Sequence, residues 1–173
     1  MMSNPTKHYS DKQETIVAEY LGWKRVSASG ARPFNKGDIV SDSWLCECKT
    51  HTAHVDSIKI LKSVWSKLKS ESMSCMKRPI LILDDGTQNL TSQVAVLESK
   101  FFNGTFFVID ATKDHGFNFN TASITFPSII CGRMKREKII FSVDVDGDEL
   151  LVMPIEFFKM CGGFYDNSST VRN

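Results

Sequence analysis

Between Gly37 and Thr50 the chain reads Gly-Asp-Ile-Val-Ser-Asp-Ser-Trp-Leu-Cys-Glu-Cys-Lys-Thr, with eight residues separating Asp38 from a Glu47-x-Lys49 pair. Side chains alternate along a strand, so Leu45, Glu47 and Lys49 share one face and Trp44, Cys46, Cys48 and Thr50 the other. With Asp38 on the adjacent strand, its carboxylate meets that of Glu47 across the pair, and the two form a cluster of hard oxygen ligands suited to Mg²⁺. Such a metal stabilises charge building on a scissile phosphate and lowers the pKa of a bound water, while Lys49 orients that water or holds the phosphate. Phosphodiester hydrolysis is the reaction class this pattern predicts.

The elements that must position these groups follow from periodicity. Ser10 with Gln13 three residues later forms a capping box, opening a helix with Ile16, Val17, Tyr20 and Leu21 at helical spacing, stopped by Gly22. Glu14 stands beside that stripe, since Val17, Ala18 and Leu21 follow it at helical intervals; Glu19 points away. Its carboxylate either meets something cationic, such as a metal or its water shell, or reaches water from the stripe's margin. A short strand over 24–27, a loop over 29–37, and strands over 38–40 and 44–50 joined by a Ser-Asp-Ser turn come next. Ile58, Leu61, Val64, Trp65 and Leu68 predict a second helix over 56–71. Two runs, 79–83 (PILIL) and 105–109 (TFFVI), read as strands buried on both faces, with an apolar helix over 90–101 between them. Asp146-Gly147 predicts a hairpin of 138–145 with 149–153, followed by a helix over 154–161 that starts with Pro and ends at Gly162-Gly163. The expectation is an α/β fold, a central mixed sheet flanked by helices with a C-terminal hairpin and short helix, as one domain over 1–165 with a frayed tail over 166–173.

Composition agrees with an ordinary globular chain of 173 residues, 42% hydrophobic and 24% charged, with 10 Gly and 5 Pro. The net charge of +1 hides an asymmetry: residues 1–82 carry 13 Lys/Arg against 8 Asp/Glu, and residues 83–173 carry 8 against 12. A basic first half suits a polyanion. The 5 cysteines form no CxxC pair, so reduced thiols are expected rather than a zinc site or disulfide framework. No apolar run approaches the roughly 18 residues of a membrane span, and the polar start lacks a signal-type core. The expected setting is cytoplasmic, with no membrane partner.

Cations for DNA phosphates are supplied by Arg32 and Lys36 before Asp38, by Lys59, Lys62 and Lys69 along one edge of the second predicted helix, and by Lys77 and Arg78. Any one of these lysines alone is more often a solvated surface group; their number and closeness to the motif carry the reading. A second Glu-x-Lys, Glu98-Ser99-Lys100 preceded by Asp84 and Asp85, closes the helix predicted over 90–101, where residues two apart do not face each other. His51 and His54 are taken as loop histidines, and 144–149 as a turn rather than a calcium loop, because its Gly stands at the fourth position.

The run Arg25–Gly30, then Gly37-Asp38-Ile39, then Trp44–Thr50, preceded by the Glu14 helix, resembles the PD-(D/E)xK nuclease superfamily, and within it Holliday-junction resolvases of the archaeal and phage type. The resemblance covers about the first 85 residues, including Trp65 and the strand over 79–83. It implies Mg²⁺ dependence, with Mn²⁺ able to substitute, and cleavage of branched DNA by a homodimer. It also puts Asp38, Glu47 and Lys49 in the three motif positions, Glu14 in that of the helix-one acid, and the Cys48 backbone carbonyl on the metal. No Pro precedes Asp38, and Asp11 competes with Glu14. The alternatives are a restriction- or repair-type endonuclease or exonuclease on linear DNA, a DNA-binding module that does not cut, and an interaction protein docking through its acidic half.

Overall fold

In the computed structural model, described for residues 5–26 and 36–161, the first helix, α1 (Pro5–Leu21), begins before Ser10. Ser10 is therefore interior rather than a cap. Gly22, at φ +74°, ends the helix, and the Trp23 N–H reaches back to the Ala18 carbonyl at 2.9 Å, the closure that a left-handed residue permits. Strands β1 (Lys24–Arg25), β2 (Ile39–Val40) and β3 (Trp44–Lys49) form an antiparallel meander. The tight β2–β3 turn is held by the Ser41 hydroxyl, which accepts from the Ser43 and Trp44 N–H groups at 3.3 and 3.0 Å.

The helix expected over 56–71 divides in two. Ser57, Lys59 and Leu61 point outward while Ile58 and Ile60 are buried, a period of two, so this stretch is strand β4 (Ser57–Leu61) and helix α2 (Lys62–Ser74) follows it. Helix α2 carries the chain back to β5 (Arg78–Leu83), which pairs parallel with β3 from Trp44↔Arg78 to Lys49↔Leu83. A strand–helix–strand unit therefore exists, but around α2 rather than between the two predicted apolar strands.

The helix expected over 90–101 is instead strand β6 (Val94–Glu98) between short 3₁₀ turns, antiparallel to β5. All five of its residues are buried, and an apolar run covered on both faces shows no period by which to tell strand from helix. Strand β7 (Phe107–Asp110), expected to be buried on both faces, is instead a sheet edge, with Phe107 and Val108 exposed. Strands β8 (Asn118–Phe119) and β9 (Ser123–Pro127), and helix α3 (Ile130–Glu137), lead into the expected hairpin β10 (Ile139–Val145) and β11 (Asp148–Pro154), with Asp146 and Gly147 both at positive φ in its turn. Helix α4 (Ile155–Cys161) follows.

The eight-stranded mixed sheet runs β1-β2-β3-β5-β6-β11-β10-β7, and β4-β9-β8 form a smaller sheet. Leu45, Trp65, Leu81, Leu83, Phe126 and Phe141 belong to the core on one face of the large sheet, with α2, α3 and the small sheet. Val17, Trp44, Cys46, Cys48, Ile82 and Phe158 belong to the core on the other, with α1 and α4. The fold class is the expected one. None of the helices described is long and apolar enough to cross a membrane. Arg32 and the tail over 166–173 lie outside the described residues.

Candidate active site

Asp38 is delivered by a glycine that no other residue can replace without strain. Gly37 sits at φ +71°, and a Cβ there would lie 2.7 Å from Leu45 Cδ1 and 3.0 Å from the Cys46 carbonyl oxygen. Asp38 lies one residue before β2 rather than within it, next to the Ile39–Cys46 pair, and close enough to Glu47 to feel its charge. Asp38 is fixed there twice: its N–H donates to the Cys46 carbonyl at 2.8 Å, and its Oδ2 accepts the Cys48 N–H at 2.8 Å.

On β3 the predicted alternation holds, with Leu45 buried, Glu47 half-buried and Lys49 exposed on one face and Trp44, Cys46 and Cys48 buried on the other. Lys49 Nζ lies 2.6 Å from Glu47 Oε1. Burial pulls the Lys49 ammonium down, but the bond and charge of Glu47, with the charge of Asp38, leave it above its usual value. Asp38 is pushed up to about 6, first by burial and then by the Glu47 charge, with Glu14 adding to the rise; the Cys48 N–H and Lys49 oppose it. A strand residue turns its N–H and C=O to the same lateral side, so the Cys48 carbonyl faces the Asp38 side of β3. The Cys48 thiol is held well up by its bond to Cys46, 3.8 Å away, and by burial, and is no nucleophile.

Glu14 approaches from α1 on the opposite layer and is held by Arg25 Nη2 at 2.7 Å, while Asp11 shares the same nitrogen at 3.1 Å. The two rivals for the helix-one acid are thus tied to one guanidinium, and it is Glu14 whose charge is felt at Asp38. The adjacent residue, Gln13, was missed as a functional candidate. It is fully buried, and its amide donates to the Lys49 carbonyl at 3.3 Å, to the Ile82 carbonyl at 3.5 Å and to Gln93 Oε1 at 3.0 Å. Gln93 in turn donates to Asp84 Oδ1 at 3.1 Å, and Thr50 donates to Asp84 Oδ2 at 2.7 Å. A buried amide chain thereby clamps the ends of β3 and β5 behind Lys49. Gln13 precedes Val17 by four residues on the buried stripe of α1, and an amide in an apolar stripe is the signal that could have revealed it.

The cations divide. Lys59 is on β4, not on the helix, and borders the same cleft as Lys49. Lys62 and Lys69, on α2, are engaged by the β10–β11 turn: Lys62 lies 3.3 Å from Asp146, and Lys69 pairs with Asp148, which also accepts Trp65 Nε1–H at 3.2 Å. They staple α2 to the hairpin. Lys36 donates to the Ser74 hydroxyl at 3.0 Å. Lys77 caps the Ser41 and Asp42 carbonyls, and Arg78 stacks over Trp44 and Phe101, each 5.6 Å from ring centre. His54 stands 3.5 Å from both Asp56 and Asp85, while His51 borders the cleft. The second Glu-x-Lys is not helical: Glu98 ends β6, buried, and pairs with Lys100.

The donors fit a hard divalent cation in kind: the carboxylates of Asp38 and Glu47, and a backbone carbonyl on their side. Among the described residues, no three His, Cys, Asp or Glu side chains gather closely enough to hold a metal ion by themselves. No family model, curated protein or solved structure matches the chain.

Proposed function

We propose that this protein is a Mg²⁺-dependent endodeoxyribonuclease of the PD-(D/E)xK type, with Asp38, Glu47 and the Cys48 carbonyl as metal ligands and Lys49 as the phosphate- or water-facing cation. One observation carries the reading: Asp38, half-buried beside Glu47, has its carboxyl raised to about 6 by burial and by neighbouring carboxylates, so that two acids share one site in the way a divalent cation would favour. Mg²⁺ at these oxygens would polarise a phosphoryl oxygen and acidify a water. Glu47 fixes the Lys49 ammonium, which remains charged and directed along the same strand face, and Gln13 holds the Lys49 main chain from behind. Glu14, paired with Arg25, contributes a lesser part of the rise at Asp38. The helix, meander, crossover and parallel strand formed by α1 to β5 agree with the mixed, helix-flanked sheet that the resemblance implies. Preference for branched DNA, and a homodimer presenting two sites to paired strands, rest on that resemblance.

Purified protein incubated with Mg²⁺ or Mn²⁺ and labelled duplex, single-stranded or four-way DNA tests the proposal. Strand cleavage that vanishes in Asp38→Asn and Glu47→Gln, with the fold intact, is the expected outcome; no cleavage of any DNA with either ion would sink it. Because Asp38 must be ionised to hold the ion, cleavage at limiting Mg²⁺ rises with pH through about 6, and excess Mg²⁺ moves that midpoint downward by competing with the proton. A second reading, DNA binding without cutting, is favoured by the lack of a three-side-chain metal cluster among the described residues. Binding with no turnover in the same assay would select it.

A further inference from the structure

A cleft of about 180 Å³ opens directly beside Lys49, between the ends of β3 and β5 and the junction where β4 turns into α2. Its walls are mainly aliphatic: Ile58, Leu61, Val64, Leu81 and Leu83. Its polar lining is Lys49, Lys59, His51 and Thr50, with one acid, the buried Asp84, which accepts from Thr50. Leu61 at its mouth is 44% exposed, a large apolar side chain left in water at the start of a helix.

We infer that this cleft receives the base of an unpaired nucleotide whose phosphate lies at Lys49. Shape and charge favour that occupant over others. A base on a DNA strand presents two flat π-faces between flanking anionic phosphates, and the cleft offers mainly aliphatic walls with one ammonium group on β3 and another on β4 in its lining. The Thr50 hydroxyl donates to Asp84 at 2.7 Å and so keeps acceptor capacity for a base amino group. A base stacked in intact duplex cannot enter; an unpaired base at a bulge, branch or end enters without the cost of opening a pair. The inference rests on the nuclease reading for the phosphate at Lys49, and it supplies what that reading lacks, a structural source of preference for non-duplex DNA.

The test measures binding with Ca²⁺ in place of Mg²⁺, using oligonucleotide duplexes that carry 2-aminopurine either fully paired or at a single unpaired position. The unpaired duplex is expected to bind about ten-fold more tightly, with its fluorescence shielded from a soluble quencher, as burial of one apolar group warrants. Val64→Phe fills the slot, and Leu61→Glu puts a carboxylate at its mouth from an exposed position that does not disturb folding. Each is expected to erase the preference while leaving affinity for paired duplex within about two-fold. Equal binding of paired and unpaired duplex by the wild type, or a preference that survives Leu61→Glu, would overturn the inference. Cleavage without such a preference removes this cleft and leaves the nuclease standing; preference with no cleavage in Mg²⁺ or Mn²⁺ does the reverse.

Discussion

Two Glu-x-Lys pairs end strands of the same sheet, and they differ in the charges that surround them. At Glu47-x-Lys49, the charges acting on Asp38 are Glu47 and Glu14 against Lys49, and its carboxyl is pushed up to about 6. At Glu98-x-Lys100, Lys100 closes on Glu98 while Lys69 closes on Asp148, so that two acids meet two ammonium groups. Burial pushes the Asp148 carboxyl up, but Lys69, Trp65 and the Lys100 charge outweigh it and hold it below the usual range. The motif is the same in letters; at one the neighbouring acid is raised by burial and other carboxylates, and at the other it is lowered by cations.

The widest separation between the two should appear in cleavage. Asp38→Asn and Glu47→Gln are expected to lower the rate by about a thousand-fold, and Glu98→Gln to leave it within about two-fold, measured on whichever labelled DNA the wild type cuts. Loss of cleavage in Glu98→Gln at unchanged fold would exchange the roles of the two clusters.

Stability should separate them with opposite signs. The folded Asp38 carboxyl titrates near 6 against 3.8 for a free one, so its ionisation penalty is absent below 3.8, grows as pH rises, and is complete above about 6. Asp38→Asn removes that penalty and should raise metal-free stability by about 3 kcal/mol at pH 8, with the gain fading at pH 4, read by chemical denaturation. Asp148→Asn should instead lower stability by about 1–2 kcal/mol at neutral pH, because it weakens the bonds from Lys69 and Trp65. That loss should fade in acid, as protonation of wild-type Asp148 removes the same contribution. Equal shifts in the two variants would mean the charge environments do not differ.

A smaller effect is expected at the clamp behind Lys49. Gln13→Leu takes the donor from Gln93 Oε1 and leaves the Lys49 carbonyl with the Asp84 N–H alone, so a loss of about 1–3 kcal/mol should accompany a fall in kcat with KM little changed. Smallest is the division among lysines. Lys59→Ala should reduce the slope of log affinity against log salt by about 1, while Lys62→Ala, already occupied by Asp146, should leave the slope unchanged.

Strong local signals were enough for several elements. Glycine at a left-handed φ ended α1 and preceded Asp38, Asp146-Gly147 made the β10–β11 turn, and the alternation Leu45, Glu47, Lys49 put both charged groups on one face. These features follow from chirality and a two-residue period, which neighbours along the chain impose by themselves. Where burial on both faces erased the period, as in Val94–Glu98, or where a strand ran directly into a helix at Leu61–Lys62, the letters were ambiguous. Only pairing with β5 and β11, and with β9, decided them.

The acidic residues of the candidate site could be named from the chain alone; their environment could not. That Arg25 would pair with Glu14, that Gln13 would reach across to Lys49, and that Lys62 and Lys69 would face a hairpin more than 75 residues away are facts of three-dimensional proximity. Local sequence fixes conformation and facing, because those depend on atoms a few bonds apart. Charge balance and desolvation depend on which distant segments pack together, and so were decided by the tertiary structure.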